Sequence, residues 1–340
     1  MVPHNLLPMA LVILSFCDFR SNAFQWSSTG RRTSSLNMIS FGTSSLKKSF
    51  PKDVKEAVTR CRVSVQEALG KRLSRMDIEF PVGANFGIEK DRKRTAKKSP
   101  SGGDGVPTKN LLDTSDRELT RIFVEMFQPL GGDAISVVFT DGTLADKAKQ
   151  AWKDDSSASC RIMALGRRKS SPLSKNKKSI GFAAKIAAEI DEGEGGPFAL
   201  PEKTELAIFV APGPKELIVV EQICNKVGMG TLVILLNARL ATVSNFGTDT
   251  AKKLFLEEFT PVFSLCAAPQ ETAPNCLLHK AYPNNWMMAR KPKVGQPKLV
   301  MEQSNRPTAE DCKMAFDSIE IGDLEQGVEN VLENVAGWFN

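Results

Sequence analysis

The hydrophobic pattern is most regular in the middle of the chain, where two apolar runs flank an amphipathic segment. The runs Leu206–Val210 and Thr231–Leu236 are nearly continuous, which is typical of strands that are covered on both faces. Between them, apolar residues recur at helical spacing from Pro214, which suits a first helical turn, to Gly228, which suits a helix end. The pattern predicts a right-handed βαβ unit with two parallel strands.

Similar segments on either side extend this α/β pattern. Helical spacing of apolar residues predicts helices over Pro51–Leu69, Asp116–Phe127, Thr143–Trp152, Ile180–Ile190 and Asp249–Phe259. Short apolar or alternating runs predict strands over Arg75–Phe80, Ala134–Thr140 and Cys160–Leu165. Ser115 or Thr114 is the expected N-cap of the second helix, because a hydroxyl can accept a hydrogen bond from the first helical turn.

The pattern changes beyond Phe259. Short runs separated by Pro, Asn and Gly predict an antiparallel meander over Pro261–Ala267, Cys276–Ala281, Trp286–Arg290 and Lys298–Gln303. From Thr308 the spacing is helical again, and an apolar stripe between Leu324 and Phe339 is expected to pack on the body. We therefore predict an α/β fold with a mostly parallel, Rossmann-like sheet flanked by helices, a short antiparallel C-terminal meander and C-terminal helices.

The amino-terminal segment has a different composition. An apolar core at Leu6–Phe16 precedes Ser21 and Ala23, which are small residues at the positions that a signal peptidase reads. The following segment is free of acids and rich in Ser and Thr, like an organelle transit peptide. We expect a signal peptide over 1–23, a transit-like leader over 24–49 and a single α/β domain over 50–340; the alternative is a secreted protein with a polar linker.

Charge and cysteines add little to this picture. The net charge is +6, and basic residues cluster in the leader and in two insertions near 87–110 and 166–178. Because the insertions lack interleaved aromatic residues, we expect disordered, solvated loops, with RNA binding as the alternative and no nucleic-acid partner predicted. The seven cysteines form no C-x-x-C motif, which favours free thiols in a reducing compartment over disulfides or zinc.

The sequence carries none of the common catalytic motifs. Phosphate-loop, dinucleotide-binding, zinc-protease and nucleophile-elbow signatures are all missing. His279 is the one histidine after the leader, and its place inside an apolar run favours a structural role. We therefore predict no catalytic residue, no metal ligand and no cofactor, and expect a protein that is not an enzyme.

A candidate binding site lies in the turns that follow the predicted parallel strands. The carboxyl ends of parallel strands form the edge of a sheet where ligands usually bind. The turns contribute Asp141, Gly142, Gly213, Asn237 and Arg239. Their polar side chains predict a cleft for an anion or a peptide segment. The alternative is that Asn237 caps a turn while Arg239 pairs with a surface carboxylate.

Prolines on either side of Gly213 remove amide donors, so a backbone phosphate cradle is not expected there.

Several pieces in order resemble an uncharacterised domain family of cyanobacteria and plastids that includes low-photosystem-II-accumulation assembly factors. The same domain is appended to a plant plastid adenylate kinase, whose phosphate loop is missing here. The matching pieces are PKDVKEAVTRCRVSVQEAL with RMDIEFP, VVFTDGTLADKA, IFVAPGPKELIVVEQI with LVILLNARL, and AYPNNWMMARKP followed by Asn305-Arg306-Pro307.

This resemblance implies an assembly or accessory factor for photosystem II. It implies a chloroplast protein, stromal or peripherally bound to the thylakoid, whose partners are proteins of photosystem assembly. The alternative is an enzyme or small-molecule binder that uses the polar cleft at the carboxyl ends of the strands.

Overall fold

The computed structural model describes residues 49–86, 109–166, 198–240, 246–291 and 297–319. The predictions for the leader, for the helix at Ile180–Ile190 and for the stripe between Leu324 and Phe339 concern residues outside these ranges. The same holds for most of the two basic insertions.

One mixed sheet forms the centre of the described body. Its strands are β1 (Arg75–Glu79), β2 (Ile135–Asp141), β3 (Arg161–Gly166), β4 (Leu206–Val210), β5 (Leu232–Leu236), β6 (Thr260–Ala267), β7 (Cys276–Ala281), β8 (Trp286–Arg290) and β9 (Lys298–Gln303). Their order is β3-β2-β4-β5-β1-β6-β7-β8-β9. All pairs from β3 to β6 are parallel, and those from β6 to β9 are antiparallel. The predicted fold class is confirmed.

Helices cover both faces of the sheet. They are α1 (Val54–Gly70), α2 (Lys109–Met126), α3 (Gly142–Ala151), α4 (Pro214–Val227), α5 (Asp249–Lys253, continued by a π-helical turn at Leu254–Glu258) and α6 (Ala309–Asp317). Single 3₁₀ turns lie at Gln128–Leu130, Gly132–Ala134, Ser156–Ser159 and Gly228–Gly230.

The predicted central unit is confirmed, and its local chemistry explains the helix bounds. Pro214 occupies the first position of α4, and the Glu216 carboxylate accepts a hydrogen bond from the Gly213 amide at 3.0 Å. Gly228 ends the helix with φ 58°, a left-handed conformation that glycine adopts without a steric penalty. Strands β4 and β5 pair in parallel, from Leu206 opposite Leu232.

Two local predictions need correction. The helix α2 begins at Lys109, seven residues before the predicted Asp116, because Lys109, at the end of the first basic insertion, and residues 110–115 continue its helical register. Ser115 is therefore not an N-cap; it lies inside α2, and its buried hydroxyl donates to the Ala84 carbonyl at 2.8 Å. Strand β6 belongs to the meander as expected, but it also pairs in parallel with β1 and so joins the two halves of the sheet.

The connections after β2 and β4 lead in opposite directions along the sheet and lie on opposite faces. Val138 belongs to the apolar cluster that α4 and α5 form on one face. The next residue, Phe139, points to the other face, where its ring lies 6.3 Å from that of Trp152 at the end of α3. α2 lies on the same side as α3, since Arg121 pairs with Asp155 at 3.3 Å. The ends of β2 and β4 thus form a topological switch point.

Within the ranges that the structure describes, no helix combines the length and the apolar character needed to cross a membrane.

Candidate functional site

A cleft of about 240 Å³ opens at the switch point, between the carboxyl ends of β2 and β4 and the first turns of α2. We call it the switch-point cleft. Its charged lining consists of Lys109, Asp113, Asp116, Arg117, Asp141, Lys147 and Arg239. Leu112, Phe139, Leu144 and Val210 contribute apolar walls. The cleft lies where open α/β sheets usually bind their ligands.

The cationic side chains of the cleft differ in their pairing. Arg239 donates from Nη2 to Asp116 Oδ1 at 2.7 Å, and Arg117 lies 3.7 Å from Glu118. Lys109 and Lys147 form no ion pair or hydrogen bond through their ammonium groups to any described residue. Their charges are therefore available to a ligand.

Asp141 combines a place in the cleft with a structural role. Its Oδ1 accepts hydrogen bonds from the amides of Thr143 at 2.8 Å and Leu144 at 3.0 Å, so Asp141 is the N-cap of α3. Partial burial acts to raise the pKa of this carboxyl, but these hydrogen bonds and the charge of Lys109 outweigh it and lower the pKa. Asp141 is consequently ionised and adds a fixed negative charge to one wall.

Asn237 lies behind the cleft and holds its parts in place. Its side chain is buried; Oδ1 accepts the Phe80 amide hydrogen at 2.8 Å, and Nδ2 donates to Asp116 Oδ1 at 2.6 Å. Burial raises the pKa of Asp116, although the charge of Arg239 and both hydrogen bonds oppose that rise. One amide thus fixes the end of β1 to α2 and orients the carboxylate that Arg239 contacts.

The backbone around the cleft adopts an uncommon conformation. Ala211, Asn237 and Arg239 have φ values of 47°, 54° and 54°, all in the left-handed region. Only a small fraction of residues other than glycine adopt such values, and these cluster at functional sites. The Ala211 amide donates to the Leu236 carbonyl at 2.7 Å, which fixes the turn after β4 against the end of β5.

The structure brings some of the sequence-predicted site residues together. Asp141 and Arg239 line one cleft, while Asn237 supports it from behind. Gly142 and Gly213 are not among the lining residues; the first begins α3 and the second caps α4. Arg239 does pair with a carboxylate, but its partner Asp116 is buried and not at the surface as the alternative expected, so cleft and ion pair coexist.

The sequence did not identify the side chains that α2 and α3 add to the cleft. Lys109, Asp113, Asp116 and Arg117 come from the first turns of α2, and Lys147 comes from α3. A usable signal was the charge run before Leu119, which continues the helical spacing of the apolar residues after it.

His279 lies elsewhere, under α1. Its Nδ1 is 2.9 Å from the Ser264 carbonyl oxygen, and its ring packs between Phe50 and Phe263 at 5.4 Å from each. Burial lowers the pKa of this imidazole to about 4. His279 therefore has the buried, hydrogen-bonded environment of a structural histidine.

Six of the seven cysteines lie in the described body. No disulfide is formed by Cys61, Cys160, Cys224, Cys266, Cys276 or Cys312. No group of three or more His, Cys, Asp or Glu side chains in the described ranges could hold a metal ion.

Comparison with known proteins defines the family. A model of the domain of unknown function DUF1995 matches residues 51–314, which include every strand and helix given above except the end of α6. No curated protein and no solved structure shows significant similarity to the chain. Because the match covers most of its length, the chain belongs to the DUF1995 family.

Proposed function

We propose that the protein binds a small anionic ligand in the switch-point cleft. The observation that carries this proposal is the pair Lys109 and Lys147, two exposed cations whose ammonium groups form no ion pair or hydrogen bond with a described residue, beside Arg239 at the carboxyl edge of the sheet. Lysine is a mobile point charge, well suited to a carboxylate or phosphate that approaches from solvent.

The size of the cleft limits the ligand. Its volume of about 240 Å³ lies below the roughly 300–1,000 Å³ of typical ligand pockets. A short dicarboxylate or a small phosphorylated or sulfated compound fits this volume better than a dinucleotide. Because Pro212 and Pro214 have no amide hydrogen, we expect side chains rather than a backbone cradle to hold the anion.

Calorimetric titration of the purified protein tests the proposal. The panel contains inorganic sulfate, inorganic phosphate, short dicarboxylates, sugar phosphates, nucleotides and pigment precursors, and a thermal-shift screen runs in parallel. We expect Lys109→Met and Lys147→Met each to weaken binding of the best anion by about fivefold, because each removes one attractive charge.

Lys226→Met provides the matched control. Lys226 is an exposed lysine near the end of α4, at the opposite edge of the sheet. Its loss should leave the affinity unchanged. The proposal fails if no anion of the panel binds the wild-type protein, or if Lys226→Met weakens binding as much as Lys147→Met does.

We also propose a cellular role as an assembly or accessory factor for photosystem II. Membership of DUF1995 supports it, because residues 51–314 contain all the segments that resemble plastid and cyanobacterial assembly factors. In this role the protein is a chloroplast protein, stromal or peripheral at the thylakoid, with partners among photosystem assembly proteins.

Depletion of the protein tests this role. Assembled photosystem II should decline before general growth fails, while photosystem I serves as the internal control. A tagged full-length chain should enter the plastid and retain assembly intermediates of photosystem II in a pull-down. Unchanged photosystem II in depleted cells would contradict the role without affecting the proposal of anion binding.

A further inference from the structure

A pair of buried carboxyl groups lies on β1, whose last residues pair with the end of β5 just before Asn237 and Arg239. Asp77 and Glu79 are separated by one residue and so point to the same face of the sheet, and only 4% and 7% of their surfaces are exposed. Arg306 donates from Nη2 to Asp77 Oδ2 at 2.7 Å. Its guanidinium lies 5.2 Å from the ring of Phe255 and 5.1 Å from that of Trp286. Asp77 is thus paired.

Glu79 is not paired in this way. Its carboxyl forms no hydrogen bond or ion pair with any described residue. A buried carboxylate without a partner is costly, and such a group takes up a proton instead. Burial and the charge of Asp77 raise the pKa of Glu79 to about 7, while the charges of Arg306 and Arg239 act against that rise.

The groups around Glu79 come from every element packed against it. They are Asp77 on the same strand, Ser264 and Cys266 on β6, Arg306 before α6, and Arg239 after β5. Ser264 is the register partner of Glu79, and burial strongly raises the pKa of the Cys266 thiol. Cys266 and Ser264 are therefore neutral, and the charge of Glu79 depends on the two arginines and Asp77.

Arg239 connects this buried carboxyl with the cleft. Its Nη2 contacts Asp116 in the cleft lining, and its positive charge also stabilises ionised Glu79. Its Nε is buried and has no hydrogen-bond partner among the described residues. An anion that binds beside Arg239 offsets this positive charge. Ionised Glu79 then loses part of its stabilisation and also repels the anion, so both effects favour its protonated form.

We propose that the switch-point cleft binds its anion together with a proton from solvent, and that Glu79 holds this proton. The inference rests on the proposed anion binding and adds its dependence on pH. By linkage, a bound anion strengthens protonation of Glu79 by the same factor as protonation strengthens anion binding. The anion is consequently bound more tightly as pH falls through neutrality.

Sulfate is the probe, because its own charge is constant across this pH range. Calorimetry should show about fivefold tighter sulfate binding at about pH 6 than at about pH 8, the lower end of typical coupling between sites. Titrations near neutral pH in buffers with different ionisation enthalpies should show uptake of a fraction of one proton for each sulfate bound.

The variant Glu79→Gln tests whether Glu79 is the group that takes up the proton. The amide is neutral at every pH, so this variant should bind sulfate at about pH 8 as tightly as the wild type does at about pH 6, with no proton uptake. Glu67→Gln, the same change at an exposed position of α1, is the matched control and should retain the wild-type pH dependence. His279 does not contribute in this range, because burial lowers its pKa to about 4.

The outcomes separate the two proposals. If sulfate binds equally tightly at both pH values, the proton coupling is wrong and anion binding stands. If Glu79→Gln keeps the pH dependence, the assignment of the proton to Glu79 is wrong, anion binding stands, and the proton belongs to another carboxyl, such as Asp116 beside Arg239. If sulfate and the rest of the panel fail to bind the wild-type protein at either pH, the anion-binding function is wrong and the coupling with it.

Discussion

The two ends of the parallel strands are built differently. At the amino ends, Arg75 holds the carbonyl groups at the end of α4. Its Nη1 donates to the Thr231 carbonyl at 2.8 Å, and its Nη2 donates to the carbonyls of Cys224, at 3.4 Å, and Gly228. The Cys224 carbonyl also accepts the Gly228 amide hydrogen, whereas Gly228 and Thr231 lie beyond the last turn of α4, so the guanidinium acts as a buried cap at this end of the helix.

Hydroxyl groups complete the same edge. Thr231 Oγ1 donates to the Thr204 carbonyl at 3.2 Å, and the hydroxyls of Ser136 and Thr204 share a hydrogen bond of 2.9 Å. All three side chains are buried. The amino-terminal edge is thus joined by a network of polar contacts, although the buried Arg75 Nε has no hydrogen-bond partner among the described residues.

The carboxyl edge has the opposite character. Its turns hold Ala211, Asn237 and Arg239 at positive φ, and unpaired lysines surround an open cleft. Glu79 is buried there without a hydrogen-bond partner. Strain and unmet polar groups reduce stability, and proteins keep them where ligands bind. The difference indicates that the amino edge stabilises the sheet while the carboxyl edge serves binding.

Replacement of Arg75 should have the largest effect on stability. We expect Arg75→Met to lower the free energy of unfolding by about 4 kcal/mol, because several buried carbonyl groups lose a charged donor. Urea denaturation measures the loss. Sulfate affinity of the folded fraction should stay at the wild-type value, since the cleft lies at the other edge.

Arg62→Met is the control for the loss of an arginine. Arg62 lies on α1 and has no side-chain hydrogen bond or ion pair to a described residue. Its replacement should change stability by less than about 0.5 kcal/mol. Equal stability of the two variants would contradict the capping role of Arg75.

The sequence predicted the strands better than the helix starts. The bounds of Cys276–Ala281 and Trp286–Arg290 agree with the structure because Pro, Asn and Gly mark the turns on either side. The start of α2 does carry a mark, since Thr108, directly before Lys109, is a hydroxyl residue of the kind preferred at N-caps, but it ends a Gly-rich stretch that was assigned to a loop.

The candidate site was predictable only in part. Strand ends and the turns after them can be read from the pattern, so Asp141 and Arg239 were found. Lys147 was not, because an exposed lysine on a helix looks the same whether or not a cleft lies beside it. Glu79 was missed for another reason. The run RMDIEF alternates polar and apolar residues and indicates one solvent-facing side, yet every residue of β1 is buried.

Changes at Asn237 should affect both stability and binding. Asn237→Gly keeps the left-handed backbone and removes the amide, so the Phe80 amide hydrogen and Asp116 each lose a partner; we expect a loss of about 2 kcal/mol. Asn237→Ala adds the cost of a positive φ and should lose about 3 kcal/mol. Sulfate affinity should fall in both variants, because Asp116 and Arg239 lose their alignment. Equal stability of the two variants would show that the backbone at this position is unstrained.

Glu79→Gln should stabilise the protein, which sharpens the contrast between the two edges. In the wild type, the pKa of the Glu79 carboxyl is about 7 in the folded protein, above the ordinary 4.5. The folded state therefore binds more protons than the unfolded state between these pH values. The stability that the raised pKa of Glu79 contributes is fully present below about pH 4.5 and is lost as pH rises through about 7. We expect Glu79→Gln to be more stable than the wild type by about 3 kcal/mol at about pH 8 and by less than about 1 kcal/mol at about pH 5.

Urea denaturation of both proteins at the two pH values measures this difference. His279 acts in the opposite direction, because its lowered pKa removes stability as pH falls from 6.5 towards about 4. This term is the same in both proteins, so it cancels in the comparison and leaves Glu79 alone. Glu67→Gln, at an exposed position of α1, should show no pH-dependent gain.

A Glu79→Gln protein that is less stable than the wild type at about pH 8 would mean that the ionised carboxyl is stabilised by its surroundings. Glu79 would then be a structural ion like Asp77, and the carboxyl edge would be as well satisfied as the amino edge.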